Sequence, residues 1–202
     1  MTDQIQIKTD TSELSVHSLN KDQQKLLDSI VLEVKSKLET RPKIVVFGKE
    51  CHQNRNVGFF SNDSIGYRYS RQMMDSQPLT ETLVRLLEMV NTKYSADFNG
   101  ILINEYIDGN DSIGAHSDDE TGLSKNAGIV AISYGSTRKF RIRNKATKKI
   151  VKDIYMKHGD ILQMKGNFQK EFTHEIPVEK KVTESRISFT FRYHTEPISK
   201  RR

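Results

Sequence analysis

A mainly β fold with flanking helices, built as a jelly-roll or a sandwich, is what this sequence predicts. Three observations lead there. Two segments carry an apolar stripe at helical spacing, a series of short runs has strand character, and Gly, Asn and Asp clusters separate those runs. At 202 residues the chain has the length of one domain or at most two small ones. It contains no repeat, no low-complexity segment and no linker, so one domain is expected.

Residues 1–19 are polar and aperiodic and read as a flexible tail. From Asn20, a plausible N-cap, the residues Leu26, Leu27, Ile30, Val31, Val34 and Leu38 fall on one helical face, and Pro42 marks the end. A second helix is expected from about Thr80 to Tyr94, after Pro78, with Leu83, Leu86, Leu87 and Val90 as its buried stripe. Between and after the helices come strand candidates at 43–47, 57–61, 66–70, 100–107, 113–118 and 128–134. They continue at 138–143, 149–156, 160–164, 172–178 and 186–194, punctuated by turns such as 108–111 and 158–160.

Composition narrows the function classes. Hydrophobic residues make up 35% of the chain and charged residues 29%, enough apolar material for one sizeable core. No apolar run approaches the roughly 18 residues of a membrane helix, and the polar start has no signal-peptide core. The single cysteine, Cys51, has no partner within the chain, which argues against a secreted disulfide scaffold and for a reducing, intracellular setting. Lys and Arg outnumber Asp and Glu by 32 to 26. That excess makes nucleic acid the first candidate partner, against the plainer alternative of a solvated basic surface.

Candidate chemistry begins at His116-Ser-Asp118. In a strand, residues two apart point to one face, so this imidazole and carboxylate can share a metal ion. His174 is the best-placed third ligand, and two His with one carboxylate form the facial triad of non-haem Fe(II) oxygenases. A His-x-acid match is expected about 0.8 times by chance in this composition. A rival, His158-Gly-Asp160, sits at a turn where Asp more often closes the turn than binds metal. In the segment 186–192, alternation places Arg186, Ser188, Thr190 and Arg192 on one face and Ile187, Phe189 and Phe191 on the other. Two guanidiniums on one strand face suit a ligand with two carboxylates, although a solvated edge strand would look the same. Asn104 and Tyr106 likewise share a face with Leu102.

Taken together, these residues resemble the AlkB family of Fe(II)- and 2-oxoglutarate-dependent dioxygenases, from about Lys43 to Tyr193. The pieces occur in order: Asn104-x-Tyr106, Asp108-Gly109, His116-x-Asp118, His174, and Arg186 followed by Arg192. The resemblance implies a double-stranded β-helix (jelly-roll) core over 98–194, preceded by helices and a nucleotide-recognition lid over 20–97. It implies Fe(II) held by His116, Asp118 and His174, with 2-oxoglutarate and O2 as co-substrates. Tyr106 and Arg186 would hold the distal carboxylate and Asn104 and Arg192 the metal-bound end, with Ser188 and Thr190 on the same face.

The finer resemblance is to the nuclear branch that repairs alkylated bases in duplex DNA. Val46, Phe47 and Gly48 resemble a hairpin tip that enters the base stack. An apolar wedge flanked by Lys43 and Lys49 can unstack a base step while lysines hold phosphates; a buried strand end is the alternative. Arg55 falls where that branch contacts DNA. Tyr67, Tyr69 and Ser70 lie where the family sandwiches a flipped base, and Asp119 and Glu120 where carboxylates meet the damaged, cationic base. An exposed acidic loop is the alternative for those two. Ser188 stands where most repair members carry Asn, and Arg71 where a Gly is usual.

The implied function is oxidative demethylation of 1-methyladenine and 3-methylcytosine in DNA, releasing formaldehyde, succinate and CO2. The expected protein is a monomer without membrane attachment, nuclear if its source is a eukaryote. The same core acting on RNA, and a catalytically silent nucleic-acid-binding module, are the other readings.

Overall fold

The structure, a computed structural model, describes residues 4–46, 48–64, 66–69, 72–119, 123 and 128–195. In chain order its elements are β1 (Gln4–Lys8), β2 (Ser12–Ser18), α1 (Lys21–Val34), β3 (Lys43–Val46), β4 (Lys49–His52), β5 (Asn56–Phe60), β6 (Gly66–Tyr69), β7 (Gln72–Asp75) and α2 (Glu81–Tyr94). There follow β8 (Gly100–Tyr106), β9 (Ile113–His116), β10 (Ile129–Gly135), β11 (Arg138–Asn144), β12 (Ile150–Met156), β13 (Asp160–Gly166), the single turn α3 (Phe168–Glu171), β14 (Phe172–Ile176) and β15 (Arg186–Arg192).

Eleven of the strands build two facing antiparallel sheets. The major sheet has the order β1-β2-β13-β10-β15-β8-β5 and the minor sheet β12-β11-β14-β9. This is the mainly β, jelly-roll architecture that the sequence predicts. Alternation along β15 makes the layers: Ile187, Phe189 and Phe191 join Ile101, Ile103, Val130 and Ile132 on the outer face of the major sheet, under the helices. On the inner face, Leu162, Met164 and Tyr106 pack with Phe140, Ile142 and Phe172 of the minor sheet. Between those sheets lies the space for a site.

The helices are where their stripes placed them. Asn20 caps α1 through a reciprocal box, its Oδ1 accepting from Gln23 N at 2.9 Å while Gln23 Oε1 accepts from Asn20 N at 3.0 Å. Thr80 caps α2 by accepting from Leu83 N. Leu27, Ile30, Val31 and Val34 of α1 and Leu83, Leu86, Leu87 and Val90 of α2 are buried against the sheet. Each contributes about 1.5–3 kcal/mol of burial. The first helix ends before Pro42, passing into a 3-10 turn at residues 35–37.

The expected flexible tail is corrected by the structure. Residues 4–18 form the β1–β2 hairpin, and β2 pairs with β13 from Ser12 opposite Gly166 to Ser18 opposite Asp160. Leu14 is fully buried in the inner core, and Ser12, Ser15 and His17 are buried beside it. A strand with so few apolar residues carries little period-two signal. Its backbone is satisfied by the β13 ladder, and at its end Ser18 Oγ donates to Asp160 Oδ1 at 2.8 Å.

Two short hairpins, β3–β4 and β6–β7, stand apart from the sheets. Gly48, at the tip of the first, has φ +78°, a left-handed conformation that favours glycine. Both hairpins are tied near β5, through Glu39 opposite Val57 and Gln77 opposite Phe60. No helix among the described residues is long and apolar enough to cross a membrane.

Candidate active site

The metal-ligating group is assembled by strand pairing. In the β9–β14 ladder His116 lies directly opposite His174, and their rings approach to 4.4 Å between centroids. β9 stops at His116, so Asp118 comes from the turn beyond it. Its N–H donates to Gln169 Oε1 at 2.9 Å, and Ser117 Oγ donates to the Phe172 carbonyl at 2.9 Å, which pins that turn to the end of β14. Asp118 Oδ1 then lies 3.7 Å from His116 Nε2, and Asp118 Oδ2 lies 3.5 Å from His174 Nε2. One ligand atom from each residue lies within 4.8 Å of the others.

Electrostatics keep these groups in the metal-binding state. His116 Nδ1 faces the Gly114 carbonyl at 2.9 Å, so the ring proton sits there and leaves the Nε2 lone pair free. Burial lowers the His116 pKa, with Asp118 opposing, and the Arg55 and Arg192 charges add to the lowering. Burial, then the charge of His116, lowers His174 to about 3 against the pull of Asp118. Burial alone would raise Asp118, but Arg192, His174 and His116 outweigh it and hold the carboxylate ionised. Two neutral imidazoles and a carboxylate are the donor set that suits Fe(II).

Along the inner face of β15 the register places Arg186 opposite Tyr106, Ser188 opposite Asn104, Thr190 opposite Leu102 and Arg192 opposite Gly100. All four β15 side chains are buried, and with Asn104 and Tyr106 they line the same cleft as the three metal-ligating residues. Arg192 Nη2 donates to Asp118 Oδ1. At the other end Arg186 Nε donates to Ser133 Oγ at 2.9 Å, so its terminal nitrogens are what it offers to the cleft. The guanidinium lies 5.6 Å from the Tyr106 ring centre, and Arg138 lies 5.7 Å from that ring. Burial and Arg138 lower the Arg186 pKa to about 10, with Tyr106 opposing, so it remains a cation at neutral pH. The described residues lining the cleft include three guanidiniums, those of Arg55, Arg186 and Arg192, and one carboxylate, that of Asp118. Buried positive charge in such excess fits a dianionic ligand.

The structure thus brings His116, Asp118, His174, Asn104, Tyr106, Arg186, Ser188, Thr190 and Arg192 into one cleft. The rival motif is a turn. Gly159 has φ +76°, and Asp160 Oδ2 accepts from Lys157 N at 2.8 Å. Arg55, expected to contact DNA, is 3% exposed and lines the cleft. The reason is its parity with Val57 and Phe59, which face inward along β5. Asp119 is half-exposed and its carboxylate is held by Lys145 Nζ at 2.7 Å. Tyr67 and Tyr69 lie in β6 and Val46 in β3, where the backbone alone is described, and Lys49 is exposed on β4. Phe47, Ser70 and Glu120 lie outside the described residues. The sequence reading missed Ser133, Arg138 and Gln169. Ser133 could have been found, since it shares the inner face of β10 with Ala131, whereas Gln169 in a single helical turn carries no signal.

A model of the 2OG-Fe(II) oxygenase superfamily matches residues 15–192. The chain belongs to this superfamily. It is 30% identical over 177 residues to the bovine DNA oxidative demethylase ALKBH2, covering 82% of this chain and 63% of that protein. With the human DNA oxidative demethylase ALKBH2 it is 30% identical over 176 residues, covering 82% and 67%. The aligned region is thus about two thirds of the length of these relatives. A solved structure of OsALKBH1 superposes with a TM-score of 0.61 at 15% identity, over 95% of this chain and 100% of that one, which shows the shared fold. The protein is an Fe(II)- and 2-oxoglutarate-dependent dioxygenase. His116, Asp118 and His174 form its metal-binding triad, and Fe(II) with 2-oxoglutarate and O2 supplies the oxidising power.

The buried histidines make the metal-free protein acid-sensitive. His194, like His174, is lowered by burial to about 3. In the unfolded chain both protonate near pH 6.5. Below that pH the unfolded state binds protons that the folded state refuses, so stability falls with falling pH, by about 1.4 kcal/mol per unit for each histidine. Chemical denaturation of the metal-free protein between pH 6 and 4 should show this slope, and His194→Asn should lessen it by about 1.4 kcal/mol per unit. A pH-independent stability across that range would contradict the buried, neutral state of these rings.

Proposed function

We propose that the protein is an oxidative demethylase of N-methylated bases, 1-methyladenine and 3-methylcytosine, in DNA. One observation carries the reading: the metal and co-substrate side chains all face one cleft, in a chain similar to proteins named DNA oxidative demethylases. The net charge of +6 and the exposed lysines at 43 and 49 on the β3–β4 hairpin are consistent with a phosphate backbone as partner. A base inside a duplex is out of reach of a buried cleft, so the target is flipped out of the stack.

In this reading the chain's own residues hold and orient. Arg186 and Tyr106 would bind the distal carboxylate of 2-oxoglutarate, and Arg192 would bind near the ligating Asp118. The N-methyl group is presented at the metal end of the cleft, while Tyr67 and Tyr69 on β6 and the carboxylates at 119 and 120 would contact the extruded base. The segment Val46-Phe47-Gly48 would fill the space it leaves, as an apolar wedge between base pairs.

The test is formaldehyde release from methylated oligonucleotides, duplex and single-stranded, DNA and RNA. Methylated DNA should be turned over, and Phe47→Ala should lower activity roughly tenfold on duplex while sparing single strands, because an unstacked base step costs a few kcal/mol. Equal loss on both substrates would remove the wedge, and turnover confined to RNA would replace the substrate class. Fe(II)-dependent succinate formation that stops in His116→Ala excludes a silent binding module.

A further inference from the structure

Arg55 directly precedes β5, and alternation sends its side chain inward with Val57 while Asn56 points the other way, its Nδ2 donating to Glu105 Oε2. Inside, Arg55 Nε donates to Asn104 Oδ1 at 2.7 Å, and both residues are buried. A carboxamide has an acceptor end and a donor end. With Oδ1 engaged by Arg55, Asn104 has only its Nδ2 hydrogens to offer the cleft, which is the polarity a carboxylate requires. The opposite rotamer would point an oxygen at an anion. Asn104 lies between Val57 of β5 and Ser188 of β15 in the ladder, so its side chain stands between Arg55 and the inner-face row of β15 in the same cleft.

We propose that Arg55 is a positioning residue for 2-oxoglutarate, fixing Asn104 with its amide donor toward the co-substrate, and is not a nucleic-acid contact. The proposal rests on the cofactor chemistry of the family and is independent of which base or nucleic acid is the substrate. It also explains why arginine stands here. A lysine would preserve the charge but lack the fixed Nε–H that engages the carboxamide oxygen.

Binding of 2-oxoglutarate to protein loaded with Mn(II) in place of Fe(II), followed by calorimetry, tests this without turnover. Arg55→Met should weaken 2-oxoglutarate binding roughly tenfold or more, and Arg55→Lys should fail to restore it. Affinity for a duplex oligonucleotide, read by fluorescence anisotropy, should stay within about twofold of wild type. Because Arg55 acts through Asn104, adding Arg55→Met to Asn104→Ala should cause little further loss. Melting curves on each variant identify any that fails to fold, and the Asn104→Ala cycle with Arg55→Lys then supplies the same comparison. Unchanged 2-oxoglutarate affinity, restoration by lysine, or weakened oligonucleotide binding with 2-oxoglutarate binding intact would each overturn the proposal. Failure of the wild-type protein to bind 2-oxoglutarate would instead count against the cofactor assignment itself.

Discussion

Asp118→Ala is expected to abolish iron binding and, separately, to destabilise the metal-free fold. The carboxylate is the sole anion among the described residues of the cleft, it bridges toward both imidazoles, and it is the acceptor for Arg192 Nη2. Removing it takes away one of three ligands and leaves the buried Arg192 guanidinium without its carboxylate. Losing one member of a buried ion pair typically costs about 3–5 kcal/mol. Metal analysis after desalting should find iron in the wild type and none in the variant, and denaturant unfolding of the metal-free proteins should show the stability loss. His158→Ala, in the turn of the rival motif, should retain iron. Iron kept by Asp118→Ala and lost by His158→Ala would move the site to that turn.

Arg186→Met is expected to have opposite effects on co-substrate binding and on the stability of the ligand-free protein. The guanidinium is buried, its described hydrogen bond is to the neutral Ser133 hydroxyl, and its lowered pKa reflects burial together with repulsion from Arg138. No carboxylate is paired with it in the described structure. Hydrogen bonds to a charged group contribute roughly 1.5–3 kcal/mol, so the KM for 2-oxoglutarate should rise by about one to two orders of magnitude. An apolar side chain of similar length relieves an isolated buried charge, so the ligand-free variant should be as stable as wild type or more so. Steady-state kinetics across 2-oxoglutarate concentrations, paired with thermal melts, checks both. An unchanged KM would make the inner face of β15 purely structural.

The features legible in the sequence were those carried by a strong period. The stripes of α1 and α2, and the split of β15 into an apolar face and a polar face, follow from residue spacing and fix which side of the major sheet holds the site. The triad was legible as a pattern, but for a partly wrong reason. Two-residue alternation assumed a strand through Asp118, whereas β9 ends at His116 and a turn held by Gln169 and Ser117 delivers the carboxylate. The hairpin of residues 4–18 was hidden because Ser12, Ser15 and His17 are buried by neighbouring elements that no local pattern announces. The burial of Arg55 was not anticipated, because a basic residue beside a candidate DNA-binding hairpin reads first as a phosphate contact. Its parity with Val57 and Phe59, visible in the sequence, pointed inward.

The most direct test of the central claim, that two imidazoles and a carboxylate grip one ferrous ion beside a clasped dicarboxylate, is an anaerobic optical titration with Fe(II) and 2-oxoglutarate. A visible charge-transfer band is expected that requires both components, saturates at one iron per chain, and is absent in His174→Ala. A chain that shows no such band, or that forms it undiminished without His174, would contradict that claim.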